Sequence, residues 1–232
     1  MRAGAAILWL LLAGSQAGAA DDAAARARMV RVQIEARGIT NATTLAALRK
    51  VPRHEFVPET ARVHAYADRP LPIGHGQTIS QPYIVAQMTE LAGLRPGDKA
   101  LEIGTGSAYQ AAVLAEITTN VYTIEIIEPL ATAARARLKR LGYDSVAVKF
   151  ADGYFGWPEH APFDVIVVTA ATDHVPPPLV EQLKPGGRIV IPLGSPFASQ
   201  MLVVITKNAA GKLSTRQVEP VVFVPLTRKT KQ

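Results

Sequence analysis

The stretch Lys99–Leu114, KALEIGTGSAYQAAVL, constrains this chain more than any other. A short apolar run of Ala100, Leu101 and Ile103 meets Glu102, Gly104 and Gly106, then passes directly into an alanine-rich segment. That order reads as strand, glycine turn, helix. In an open α/β sheet such a turn lies at the carboxyl edge of the strands, where ligands bind. Glycine lets the backbone approach a ligand closely, and the first turn of the helix offers N–H groups without intrahelical partners.

The segments that follow repeat the unit. Lys99–Ile103, Asn120–Ile126, Ser145–Phe150, Phe163–Thr169 and Arg188–Pro192 read as strands. Ser107–Ile117, Pro129–Leu141 and Pro176–Leu183 read as the helices between them. Repeated βα units predict a mostly parallel sheet with helices on both faces. Gln200–Thr206 and Arg216–Val224, joined by a turn at Asn208–Gly211, predict an antiparallel finish. Upstream, Ala23–Arg37 and Ala42–Lys50 read as helices, the second capped by Asn41. A short helical piece follows around Thr60–Ala67. The segment Asp68–Ile79, with Pro70, Pro72, Gly74 and Gly76, can be neither a regular helix nor a central strand. It leads to Ser80, expected as N-cap of a helix Tyr83–Leu91 with Pro82 in its first turn.

The first 20 residues read as a signal peptide or a disordered extension: Arg2, an apolar run Ala5–Ala13, then Ala17-Gly18-Ala19. The run is too short for a permanent membrane anchor. Residues 21–232 then form one domain, with N-terminal helices and a loop over 21–98 and the sheet over 99–232. The chain has no cysteine, which excludes disulfides and thiolate chemistry, and its five histidines lack metal-ligand spacing. The net charge of +6 gathers largely at the two ends, without aromatic–basic interleaving, so no nucleic-acid partner is expected.

The glycine turn departs from the dinucleotide fingerprint, which wants Gly or Ala three positions after Gly106, where Tyr109 stands. This disfavours a nicotinamide dehydrogenase. Glu102 would repel a pyrophosphate but attract a sulfonium or ammonium group, which points to S-adenosylmethionine. Glu125 closes the next strand, where a carboxylate can accept ribose hydroxyls, with Ile126 beside it. Asp152-Gly153 closes the third, where an acid can bond the adenine amino group.

The segments MVRVQIEARGI (Met29–Ile39), VPRHEFVP (Val51–Pro58), AYADRPLPIGHGQTISQPYIVAQMTE (Ala65–Glu90), LEIGTGSAYQAAVLAEI (Leu101–Ile117), QLKPGGRIVIPLG (Gln182–Gly194) and FVPL (Phe223–Leu226) resemble the protein-L-isoaspartate (D-aspartate) O-methyltransferases. GQTISQP is the most specific of them, since other methyltransferases share the glycine turn but not that stretch. The resemblance implies a Rossmann-like S-adenosylmethionine-dependent methyltransferase fold. The implied reaction transfers a methyl group to the free carboxylate of isoaspartyl residues in damaged proteins and peptides. It implies Ser80 as the active-site residue, with Gln77, Thr78 and Ile79 in the substrate loop. Glu102, Gly104, Thr105, Gly106, Glu125, Ile126, Asp152, Gly153 and Thr227 would hold the cofactor. It also implies a cytoplasmic monomer, whereas a working leader would make the protein periplasmic or secreted.

A carboxylate nucleophile, with a pKa near ~4, is already ionised at neutral pH and needs no strong general base. Catalysis would rest on placing it against the methyl group and excluding water. Three positions depart from the family's usual residues. Ala108 stands for a glycine and is expected to narrow the methionine end of the site. Ala151 also replaces a glycine, and Val222 an arginine. A methyltransferase of a small molecule or RNA, and a weakly active cofactor-binding relative, are the competing readings.

Overall fold

The computed structural model describes residues 21–195 and 198–228; the expected leader lies outside them. Strands are β1 (Leu71–Gly74), β2 (Gln77–Ile79), β3 (Lys99–Ile103), β4 (Asn120–Glu125), β5 (Ala147–Phe150), β6 (Phe163–Val168), β7 (Leu183–Leu193), β8 (Gln200–Lys207) and β9 (Leu213–Val221). Helices are α1 (residues 21–29), α2 (Ala42–Lys50), α3 (Pro82–Ala92), α4 (Tyr109–Ala115), α5 (Glu128–Arg140) and α6 (Pro177–Glu181).

Among the described residues, seven strands form one sheet in the order β5-β4-β3-β6-β7-β8-β9. Pairing is parallel from β5 through β7 and antiparallel from β7 to β9, as the sequence predicts. Chain order runs outward from β3 in one direction and from β6 in the other. The crevice between their carboxyl ends is therefore the switch point where ligands bind. Side chains of the central strands alternate between two cores. Ala100, Val165, Val167 and Val190 join the core shared with the N-terminal helices. Leu101, Ile103, Ile166, Val168, Ile189 and Ile191 join the core on the other face. Burial on both faces explains why these strands read as nearly continuous apolar runs.

The N-terminal part packs onto the first core. Helix α1 continues through a π-helical turn, Val30–Ile34, and a 3-10 turn, Glu35–Arg37, so the expected helix is realised in three geometries. Asn41 caps α2, its side chain accepting from the Thr44 N–H at 2.9 Å. Arg53 carries the tie to the sheet. It is wholly buried, donates from Nε to the Ala65 carbonyl at 2.8 Å, and lies 4.8 Å from the Tyr109 ring centroid on α4. Burial lowers its pKa to about 10.

One expectation is extended and two need correction. Proline and glycine in Asp68–Ile79 keep it out of the main sheet, but the segment still folds into the hairpin β1–β2, pairing Leu71 with Ile79. Its turn passes through Gly74, His75 and Gly76, all at positive φ (89°, 54° and 69°). The fifth parallel strand starts at Leu183 rather than Arg188, because Lys184–Gly187 continues β7. Helix α3 is preceded by Gln81, in extended geometry, and has no side-chain cap. Ser80 is thus not the N-cap, because Pro82 starts the helix one residue too late for it.

Candidate active site

The glycine turn leaves β3 and is stitched to the end of β4. The Gly104 and Thr105 N–H groups donate to the Ile124 carbonyl at 2.9 and 3.2 Å. Gly106 N–H donates to Glu125 Oε2 at 2.7 Å, and Ile127 N–H to Glu125 Oε1 at 2.9 Å. Glu125 therefore shapes the turn with both oxygens. An ionised carboxylate has about four acceptor sites, so this leaves it able to meet a ligand as well. Glu125, Ile126 and Gly153 line one small cavity against Thr227.

Glu102 lies deeper than its sequence position suggests. It is fully buried, and Oε2 accepts from Thr123 Oγ1 at 2.5 Å; Thr123 Oγ1 is itself 2.6 Å from Thr105 Oγ1. Among the described residues, Oε1 has no hydrogen-bond partner. Burial pushes the carboxyl up to about 8, against the Thr123 bond and with help from the Glu125 charge. Glu102, Gly104, Thr105 and Gly106 line a second cavity together with Ile79 and Ser80.

Ala108 sits at φ 70°, ψ 14°, in the left-handed region where glycine is at ease. Its methyl group is fully buried within the first core. It lines neither cavity beside the turn. The methyl group packs into the first core, so what the structure shows of this departure is its effect on the backbone of the turn.

The largest of these three cavities, ≈ 390 Å³, lies beside the turn. Ser80 and Thr78 reach it from the hairpin side, and Val222 and Phe223 from the segment after β9. Its walls carry opposite charges. Arg37 is paired with Asp68 at 3.2 Å and stacked 3.4 Å from the Tyr83 ring centroid. Glu219 faces the same space, with one carboxylate oxygen buried and, among the described residues, unpartnered. Val222 is 81% exposed at the rim.

Thr78 and Thr169 line all three cavities, so the three spaces adjoin around these two side chains. Thr169 ends β6 at the switch point, and its hydroxyl lies within hydrogen-bond distance of the Ile103 and Gly104 carbonyls at 3.0 and 2.7 Å. The hairpin reaches the turn through Ile73, whose Cδ1 would stand 3.3 Å from a Cβ on Gly106. Among the predicted residues, Thr78 lines all three spaces, Gln77 the cavity of Glu125 and Gly153, and Ser80 both the largest space and the cavity beside Glu102. Asp152 lines none of these three cavities; its side chain is 8% exposed and paired with Arg228 at 2.9 Å. Sequence reading missed Thr169, Glu219 and Arg228. A polar residue ending the strand beside β3 was the available signal for Thr169. Arg228 had been counted only as a terminal charge.

Comparison with known proteins gives consistent matches. The family model described as Protein-L-isoaspartate(D-aspartate) O-methyltransferase matches residues 24–231. A curated relative from Nitrosospira multiformis, Protein-L-isoaspartate O-methyltransferase 1, is 60% identical over 210 residues, covering 90% of this chain and 89% of that protein. A solved structure named protein-L-isoaspartate O-methyltransferase superposes with a TM-score of 0.80 at 29% identity, over 88% of this chain and 66% of that one. A Plasmodium falciparum protein described as a putative protein-L-isoaspartate O-methyltransferase, in complex with S-adenosyl-L-homocysteine, gives a TM-score of 0.75 at 25% identity, over 87% and 98%.

Proposed function

Since this chain belongs to the protein-L-isoaspartate(D-aspartate) O-methyltransferase family, we propose that it methylates the free carboxylate of isoaspartyl residues in damaged proteins, using S-adenosylmethionine. One observation carries the reading. The Ser80 cavity and the cavities of the glycine turn adjoin, with Thr78 and Thr169 lining each of them. A polypeptide carboxylate and a cofactor methyl group can therefore face each other without crossing protein.

The residues fit such a cofactor. Glu102 offers a cation a buried acceptor oxygen that has no hydrogen-bond partner among the described residues. Glu125 and Ile126 would flank the ribose, and Asp152 and Gly153 the adenine. When bound, S-adenosylmethionine supplies an electrophilic methyl group on a sulfonium, and the departing sulfur keeps the bonding pair.

The rest falls to the chain. The acceptor is ionised at neutral pH, so no protein group has to remove a proton. Ser80, freed from any capping bond, donates its O–H to one carboxylate oxygen and turns the other toward the methyl group. The N–H groups opening α3 stand at the same cavity and favour a negative ligand. The hairpin and the segment after β9 close the space from water. Fixing two reactants in line can lower a barrier by about 7–11 kcal/mol.

Residues 21–232 act as one catalytic unit and as a monomer. Among the described residues, no helix is long and apolar enough to cross a membrane. The site of action is the cytoplasm, where S-adenosylmethionine is made. The leader-like pattern of Arg2, Ala5–Ala13 and Ala17-Gly18-Ala19 favours export as the second reading. N-terminal sequencing of protein from cell fractions decides between them. The activity is tested by transfer of a labelled methyl group to an isoaspartyl peptide and to its aspartyl twin. Selective labelling of the first is expected; equal labelling of both, or none, would reject the reading.

A further inference from the structure

The segment after β9 crosses the carboxyl edge of the sheet as a strap. Ala171 N–H donates to the Val224 carbonyl at 2.8 Å, and Leu226 N–H to the Ala171 carbonyl at 2.7 Å. Val224 through Thr227 then form one wall of the cavity that Ile126 and Gly153 face from the other side. One residue further, Arg228 bridges the two walls. Its Nε donates to Asp152 Oδ2 at 2.9 Å. Its guanidinium carbon lies 3.6 Å from the Tyr154 ring centroid and 5.1 Å from that of Phe155. Asp152 Oδ1 in turn accepts from the Tyr154 N–H at 3.0 Å. Tyr154 is also held from outside, its hydroxyl 3.2 Å from His174 Nε2.

An exposed ion pair between two long, mobile side chains contributes little. This one differs on two counts. The carboxylate partner is only 8% exposed, and the guanidinium is flattened against an aromatic face, which fixes its plane. Gripped from two directions, the Asp152 carboxylate has a set orientation.

We propose that Arg228 is a positioning residue for the cofactor: it latches the strap across the adenine end of the cavity and orients Asp152 to accept the adenine amino group. The proposal rests on the reading of this site as one for an adenosyl cofactor. It adds a residue from the far end of the chain that touches Asp152 rather than the reacting atoms.

The test compares two ligands by isothermal titration calorimetry. S-adenosylhomocysteine carries the amino group; S-inosylhomocysteine replaces it with a carbonyl. Wild-type protein should prefer the first. Arg228→Gln should weaken S-adenosylhomocysteine binding about tenfold, as expected for loss of one charge-assisted hydrogen bond, and change the inosyl ligand by less than about twofold. Arg228→Lys should retain part of the preference, and the melting temperatures of the ligand-free variants should match wild type. An equal loss for both ligands would mean that the strap merely closes the cavity, and would overturn the positioning role. Unchanged binding of both would overturn the proposal entirely while leaving the family reading intact. Failure of the wild-type protein to bind S-adenosylhomocysteine would overturn both.

Discussion

Thr169 Oγ1 lies 2.7 Å from the Gly104 carbonyl oxygen, and a Cβ placed on Gly104 would lie 2.4 Å from that same hydroxyl oxygen. The Thr169 side chain therefore fills the place that a side chain on Gly104 would need. Gly104 also holds φ at +99°, which L side chains rarely adopt. Gly104→Ala should therefore lose both backbone fit and space, destabilising the fold by about 1–3 kcal/mol from the backbone alone. Thr169→Val keeps the shape but withdraws the hydroxyl from two carbonyls. It should weaken S-adenosylhomocysteine binding several-fold, and Thr169→Ser should restore it. Equal binding by the Val and Ser variants would refute the role of the hydroxyl.

Ser80→Ala tests the acceptor side. The side chain makes no capping bond, so its removal should leave the melting temperature nearly unchanged. Methyl transfer to an isoaspartyl peptide should fall by about 10²-fold, within the range for loss of a positioned polar group. Cofactor affinity should hold within about twofold. Collapsed cofactor binding with unaltered turnover would assign Ser80 to the other half of the site.

Glu102 predicts a pH dependence. Its folded value, about 8, lies above the ordinary carboxyl value of 4.5 because burial disfavours the charge. Between those values the folded chain binds more protons than the unfolded one. The stability this group contributes is therefore full below pH 4.5 and lost as pH rises through 8. Glu102→Gln should remove that part of the slope in thermal melts. A cationic ligand favours the ionised form, so S-adenosylmethionine, which carries the sulfonium, should bind more tightly from pH 6 to 8, by up to about tenfold per unit. Calorimetry in buffers of different ionisation enthalpy should register the released proton. A flat affinity profile in wild-type protein would contradict the placement of Glu102 beside the cation.

Ala108→Gly should be nearly neutral. The left-handed backbone disfavours alanine by about 1–2 kcal/mol. Glycine relieves this but gives up a fully buried methyl, worth about 0.8 kcal/mol, and is freer in the unfolded chain. Thermal melting should shift by no more than a few degrees, and cofactor affinity should stay the same. A several-fold gain in affinity would show that the methyl reaches the ligand after all.

What the chain reveals without its fold is whatever depends on near neighbours. Lys99–Ile103 and Ala42–Lys50 are strand and helix over the expected residues, with Asn41 as the expected cap, because periodicity and capping act within a few residues. The glycine turn and the acids at the ends of β3 and β4 are legible for the same reason. Where a proline interrupts, local reading slips: Pro82 moves the helix start and releases Ser80 from the cap, and Lys184–Gly187 is carried in β7 as an irregularity between the pairs Leu183–Phe163 and Arg188–Val165.

Contacts made across the sheet were decided only by tertiary structure. Thr169 meets Gly104 because β6 lies beside β3, although 65 residues separate them. Arg228 meets Asp152 across 76 residues through the strap over Ala171. Arg53 finds the Tyr109 ring in the core. Glu102 is a carboxylate in any reading of the sequence, but its protonation follows from burial, which depends on everything packed around it. The sequence by itself thus determined which elements form and which polar groups end the strands. Sheet order and desolvation, which are properties of the whole fold, decided which of those groups share a site and what charge they carry there.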